Sequence, residues 1–322
     1  MITRRAVMAA LLATSFSRSL FASDPVSAPV RTRRKYIPLK NGKQLHLHIA
    51  QPAVSSLIRR RPLICFHPTA YSGKFFREYQ NLMAADRVVI CPDTPGYGNS
   101  DKPDTTPTIN EYAQAMCEVV DQLAATSRDG VDLLGFHTGC FIATEVAILR
   151  PRTVNKLILP GIPYEQGEAR LAALEENAKQ APYFSDVNAL GEKWLNQWEW
   201  QGSAVTMPRL LELLAEEIAA GPDNWWAYQA VFSYAVEEKL PQVQQPVLAL
   251  ATDGDLFEAT TAAAELMPDA SVGSYPELDA PLFNKHQHTL ADLSRQFLDA
   301  PPKEKLPEDA QESLAEEPSA TL

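Results

Sequence analysis

The sequence predicts an α/β domain: a mostly parallel central sheet with helices on both faces and a helical insertion late in the chain. Three observations carry this expectation. Short, continuous apolar runs recur and end in turn residues, as strands covered on both faces do. An apolar run, a glycine-flanked turn and a helix follow one another directly across residues 131–147. The alternation is interrupted once, at 162–240, by a stretch of helical periodicity that holds Trp194, Trp198, Trp200, Trp225 and Trp226.

Taken in order, residues 36–39 and 43–50 flank Asn41-Gly42, a hairpin signal. In the second strand His46 and His48 share one face while Leu45, Leu47 and Ile49 share the other. With no third ligand at fitting spacing, the histidine face reads as solvated. Residues 62–66 form an apolar run ending in His67-Pro68-Thr69, and residues 87–91 another, ending in Pro92-Asp93. Thr108 and Glu111 form a capping box, after which Ile109, Tyr112, Ala113, Met116, Val120 and Leu123 recur at helical spacing. Val131-Asp132-Leu133-Leu134 leads into Gly135-Phe136-His137-Thr138-Gly139 and a helix stopped by Arg150-Pro151. Residues 154–159 give a further strand. Within the insertion, Pro208 starts a helix with the stripe Leu210, Leu211, Leu213, Leu214 and Ile218, and Gly221 ends it. Strand character returns at 246–251, and Leu290, Leu293 and Phe297 mark a last helix.

The two ends differ from this body. Thr3-Arg4-Arg5, the mildly apolar residues 6–16 and Ser19-Leu20-Phe21-Ala22 make residues 1–22 read as an export signal of twin-arginine type. That apolar stretch is well short of the roughly 20 residues that span a bilayer. The expected mature protein is periplasmic. Residues 23–35 read as a basic connector, 36–161 and 241–299 as the core, 162–240 as a cap, and 300–322 as a disordered tail with six acids and two bases.

The chain has 322 residues, 45% of them hydrophobic, enough for one large core with an insertion. A net charge of −11 argues against nucleic acid as a partner, because phosphate neutralisation needs clustered Lys and Arg. Cys65, Cys91, Cys117 and Cys140 show no Cys-x-x-Cys spacing, so zinc-ribbon and thioredoxin-like chemistry lack support and buried free thiols are the expectation. Gly96-Tyr97-Gly98 lacks the strand-to-helix context of a phosphate loop, so no cofactor is expected.

Several of these segments together resemble the α/β-hydrolase family, over roughly residues 36–300. Residues 62–67 look like the strand before that family's oxyanion loop. Asp93-Thr94-Pro95-Gly96-Tyr97-Gly98-Asn99-Ser100-Asp101 is similar to its D-x-x-G-x-G-x-S-D turn, and residues 246–255 resemble the strand that carries the catalytic acid. Residues 135–139 occupy the nucleophile elbow, G-x-S-x-G, with histidine in place of serine. The resemblance implies Asp255 as the acid, with Asp253 as its alternate, and backbone N–H groups of Thr69 and Thr138 as the oxyanion hole. The position of the family's catalytic histidine falls at Asp279-Ala280-Pro281, where there is none; His286 and His288 lie nearby.

Two departures at once suggest a condensed arrangement. The expectation is that Asp255 orients His137, which acts as general base on water or an acidic substrate proton, with His67 in support. The tryptophan-rich cap points to a small apolar or aromatic molecule as substrate or ligand. Cys140, in the first turn of the helix after the elbow, is placed where the helix dipole lowers a thiol pKa, but lies off the elbow tip. The alternative reading is a non-catalytic binding protein that keeps the pocket without the Ser-His pair.

Overall fold

The computed structural model describes residues 29–125, 127, 129–178, 187–201, 204–252, 254, 256–279 and 281–301. The signal-like segment 1–22 and all of the tail beyond residue 301 lie outside the described residues. The hairpin expected around Asn41-Gly42 pairs β1 (Val30–Pro38) with β2 (Gln44–Pro52), and β1 begins six residues before the alternating pattern does. The other strands are β3 (Leu63–Phe66), β4 (Val89–Pro92), β5 (Val131–Gly135), β6 (Val154–Pro160), β7 (Val247–Thr252) and β8 (Ala270–Tyr275). They form one sheet ordered β1-β2-β4-β3-β5-β6-β7-β8, in which β2 alone runs against the rest.

Alternate residues of the central strands feed two cores. Ile64, Phe66, Leu133 and Leu157 pack under α2 (Ile109–Ala124) and α3 (Thr138–Leu149). Leu63, Cys65, Leu134 and Ile158 face α1 (Arg77–Met83) and the C-terminal helices. Such double coverage is why these strands read as unbroken apolar runs. The capping box of α2 is formed in full, with Thr108 and Glu111 exchanging hydrogen bonds. By contrast, β8 escaped the sequence reading because its Ala-Ser-Val-Gly-Ser-Tyr run is largely exposed at the sheet edge, with Val272 44% exposed.

Between β6 and β7 the chain forms α4 (Gly167–Ala178), α5 (Val187–Gln201), α6 (Met207–Ala219), α7 (Trp226–Ser233) and α8 (Val236–Lys239), a helical cap. α9 (Phe257–Glu265), α10 (Leu282–Lys285) and α11 (Gln287–Leu298) follow. None of Trp194, Trp198, Trp225 and Trp226 is fully buried, and at the seam between cap and core Trp226 packs against Lys102, whose Nζ lies 4.9 Å from its ring centroid. Hydrogen bonds hold much of that seam. Tyr97 donates to the Asn224 carbonyl (2.9 Å) and accepts from the Ala227 amide (3.1 Å). Arg209 donates to the Phe75 carbonyl (2.9 Å). Buried Glu145 of α3 accepts from Tyr234 (2.7 Å) and Lys239 (2.8 Å).

The strand order sets the position of the site. From β3 the chain moves outward to β4, then returns to place β5 on the other side of β3. The loops leaving β3 and β5 therefore diverge at a topological switch point, where open α/β sheets bind ligands.

Candidate functional site

Phe66 and Gly135 end their strands abreast, and the Phe136 amide donates to the Phe66 carbonyl (3.1 Å). The next residue, His137, has φ 50° and ψ −116°, the one positive φ outside glycine among the described residues. This is the strained turn that throws a side chain out of the sheet between strand and helix. The flanking glycines are required by contact. A Cβ on Gly139 would lie 2.0 Å from the Phe66 carbonyl oxygen, and one on Gly135 would lie 2.1 Å from that of Gly139. The helix can approach the strand this closely only without those side chains.

His137 is half-buried. Its ring packs 4.0 Å from that of Phe136 and lies over Gly161, where a Cβ would come within 3.2 Å of Nε2. Among the described residues its ring nitrogens have no hydrogen-bond partner, and burial pushes its pKa down to about 4. Beside it, the hydroxyls of Thr69 and Thr138 are 2.7 Å apart, so the two residues of the expected oxyanion hole adjoin one another. Neither backbone amide has an acceptor among the described residues. Tyr228 of the cap donates to the Thr69 carbonyl (3.1 Å), tying α7 to this loop.

The other candidates divide. Asp253 and Asp255 lie outside the described residues. Both nitrogens of His67 are engaged: Nδ1 donates to the Pro68 carbonyl and Nε2 accepts from the Thr94 amide, each at 2.9 Å. Burial holds its pKa below the ordinary imidazole value. His286 meets Asp279 at 2.7 Å, and His288 lines a surface cleft with Pro29, Val30 and Glu78. The segment after β8 instead delivers Phe283 to the elbow, 4.9 Å from Phe136. Cys140 is buried, with Sγ 3.2 Å from the Gly135 carbonyl oxygen. Burial raises its pKa well above that of a free thiol, overriding the helix-terminus effect. All four cysteines are free and buried.

The histidine face of β2 is not solvated. His46 is 2% exposed; its Nδ1 donates to Asp93 (2.8 Å), and His48 Nε2 donates to the other carboxylate oxygen (3.0 Å). The amides of Gly73 (2.8 Å) and Asn99 (2.9 Å) complete the set. These side chains form the one group of metal-ligand type among the described residues, with the third member supplied from β4 rather than from nearby sequence. In the arrangement present they form a hydrogen-bonded clasp. Burial works to raise the Asp93 carboxyl, but four donors hold it well below the usual carboxylate range.

Residues the sequence reading missed come from the cap. Glu216 of α6 is buried, and its Oε2 accepts from the Ser72 amide (3.0 Å) and hydroxyl (2.8 Å). Gln197 of α5 is buried beside Tyr71. A signal was available: Glu216 and Glu217 continue the inward face of Leu210 and Leu213, whereas Leu211 is 52% exposed. Acids on an apolar stripe call for partners.

The sequence model described as the alpha/beta hydrolase fold matches residues 61–266. No curated protein sequence matches the chain. Among solved structures, an esterase from Exiguobacterium antarcticum superposes with a TM-score of 0.68 at 18% identity, covering 83% of this chain and 99% of the other. A hydrolase from Pseudomonas aeruginosa PA01 gives 0.67 at 15% identity, covering 83% and 99%. A thermophilic esterase from Thermogutta terrifontis gives 0.64 at 17% identity, covering 83% and 98%. With eight strands in this order, an elbow between β5 and α3, and a family match across most of the chain, the protein belongs to the α/β-hydrolase fold family.

Proposed function

We propose that the protein is an exported hydrolase of small apolar or aromatic esters, in which His137 replaces the serine and acts as general base with Asp255. The observation that carries this reading is the backbone of His137, held at positive φ at the elbow tip directly before Thr138, whose hydroxyl meets that of Thr69 and whose amide, like that of Thr69, has no acceptor among the described residues. The rings of Tyr71, Phe75, Phe136 and Phe283 support an apolar or aromatic substrate, since they pack ring against ring in succession up to the elbow.

In this mechanism His137 takes a proton from water as its oxygen adds to the ester carbonyl carbon. The carbonyl oxygen becomes an oxyanion bound by the Thr69 and Thr138 amides. Collapse expels the alkoxide, which takes the proton back from His137, giving acid and alcohol. Buried by itself, the imidazole is a weak base at about 4. A carboxylate within hydrogen-bond reach favours the protonated ring and raises that value, which is the work assigned to Asp255.

Turnover of a panel of small aryl esters tests the reading. H137A is expected to fall at least 100-fold in kcat/KM, in line with loss of a general base. D255N is expected to keep a trace of activity, with the acid limb of its pH profile moved to lower pH, because burial then acts on the imidazole without an opposing carboxylate. An unmoved limb would remove Asp255 from the mechanism. Export predicts a mature N-terminus after Ala22, checked by N-terminal sequencing of periplasmic protein.

One observation favours the second reading, a non-catalytic binder. The imidazole has no partner among the described residues, and His286 is engaged by Asp279. Wild-type inactivity on every ester, together with retained binding of small aromatic compounds, would support that reading.

A further inference from the structure

Where the cap helices α5 and α6 meet the core, three buried polar atoms have no hydrogen-bond partner among the described residues: Oε1 of Glu216 and both Oε1 and Nε2 of Gln197. Gln197 is 5% exposed and Glu216 9%. They lie on the packed helices α5 and α6, and both border Tyr71, five residues beyond Phe66 at the end of β3. The Tyr71 hydroxyl sits among Gln197, Glu217, Tyr228 and Glu216, and Tyr228 in turn reaches the Thr69 carbonyl. The unpartnered atoms are therefore connected to the oxyanion loop through two tyrosines.

A buried polar atom left without a partner is costly, so three in one cluster call for a group that would pair with them. Packing does not account for them. Glu216 is anchored through Oε2 by both donors of Ser72, which leaves Oε1 spare, and the one polar neighbour of the Gln197 amide named among the described residues is the Tyr71 hydroxyl, with which it makes no full hydrogen bond. Burial raises the Glu216 carboxyl above its ordinary value, and the Ser72 bonds, Lys74 and Arg209 oppose the shift.

We infer that Gln197 and Glu216 form a polar subsite that selects substrates bearing an uncharged group able both to donate and to accept hydrogen bonds, such as a carboxamide or hydroxyl, and that rejects carboxylates. The set offers two acceptor oxygens and one N–H donor. A carboxamide supplies N–H groups to the oxygens and a carbonyl to the donor. A carboxylate has only lone pairs, so it would face two acceptors and the charge of a neighbouring carboxylate. Sites built to hydrogen-bond a substrate group discriminate strongly against analogues lacking it. The inference rests on the proposed function and narrows its substrate class, but its test reads binding rather than turnover.

The probes are benzamide, benzoate and ethylbenzene, titrated into the full chain at pH 7 by isothermal calorimetry or ligand-observed NMR. Wild type is expected to bind benzamide at least tenfold more tightly than benzoate. Q197L should weaken benzamide about tenfold, the scale of one good hydrogen bond, and leave ethylbenzene unchanged. E216Q, whose amide oxygen can still accept from Ser72, turns an acceptor into a donor and should narrow the gap between benzamide and benzoate. H137A should retain the full preference while losing ester turnover, which separates failure of the subsite from failure of the proposed base. Equal affinities for benzamide and benzoate in wild type, no benzamide binding, or an unaltered Q197L would overturn the inference and leave the three atoms to bound water.

Discussion

The elbow and the loop after β3 face each other across the switch point, yet they are held by opposite means. The elbow is fixed by backbone contact: Gly135, Gly139 and Phe66 touch main chain to main chain. The loop is fixed by side chains that carry or attract charge. Asp93 grips the Gly73 amide from below, Glu216 grips Ser72 from the cap, and Tyr228 reaches Thr69. One half of the site is thus held in place by main-chain contact, while the other is held by carboxylates and by the cap. This division suits a site whose reacting group must not move and whose specificity must be tunable.

The strongest way to break the comparison is to fill the elbow. In G139A the new methyl would meet the Phe66 carbonyl at 2.0 Å, a main-chain atom that cannot rotate away. The expected cost is about 3 kcal/mol, at the upper end for overpacking, measured as a lower urea midpoint with unchanged slope. A stability within about 0.5 kcal/mol of wild type would mean that the helix is free to retreat from the strand.

The loop should fail first in acid. Four donors depress the Asp93 carboxyl in the folded state, so its contribution is present above the ordinary carboxylate value near 4 and is lost as pH falls through that value toward the lower folded one. Wild type is therefore expected to lose stability steeply below about pH 4. D93N should be less stable at pH 7 by about 2–3 kcal/mol, since its bonds are no longer charge-assisted, and should show a flatter acid limb. An acid limb of the same steepness in D93N would shift the pH dependence to other carboxylates.

The same division explains what could be read in the sequence. The elbow was legible because its requirements are local: an apolar strand, two glycines four residues apart and a helix all lie within one short stretch. Continuous apolar runs likewise marked β3, β5 and β7. β8 was not legible, because a half-exposed edge strand of Ser, Gly and Val carries neither alternation nor an apolar run. The clasp was missed for a different reason. Its carboxylate stands 45 and 47 residues from the two histidines, so spacing could not reveal that His46 and His48 face a buried acid rather than water. On α6 the leucines mask the acids: Leu210, Leu211, Leu213 and Leu214 read as one stripe, whereas the inward face runs through Leu210, Leu213, Glu216 and Glu217. Contacts made through long side chains across the seam leave their mark as polar residues in apolar company. That signal can be read only by asking what each such residue would bond to.

The smallest change sharpens the comparison most. Y228F removes one hydroxyl, the cap's bond to the Thr69 carbonyl, and leaves the ring in place. The bond is neutral and half-buried, so stability should fall by no more than about 1 kcal/mol. Its consequence should appear in function, because Thr69 supplies one of the two proposed oxyanion amides and a loosened carbonyl lets the peptide plane behind it rock. A three- to tenfold drop in kcat with nearly unchanged KM, about 1 kcal/mol of transition-state binding, is the expected result. A rise in KM alone would show instead that the hydroxyl serves ground-state binding of the substrate. The cap's grip on the loop would then be separate from the chemistry at the elbow.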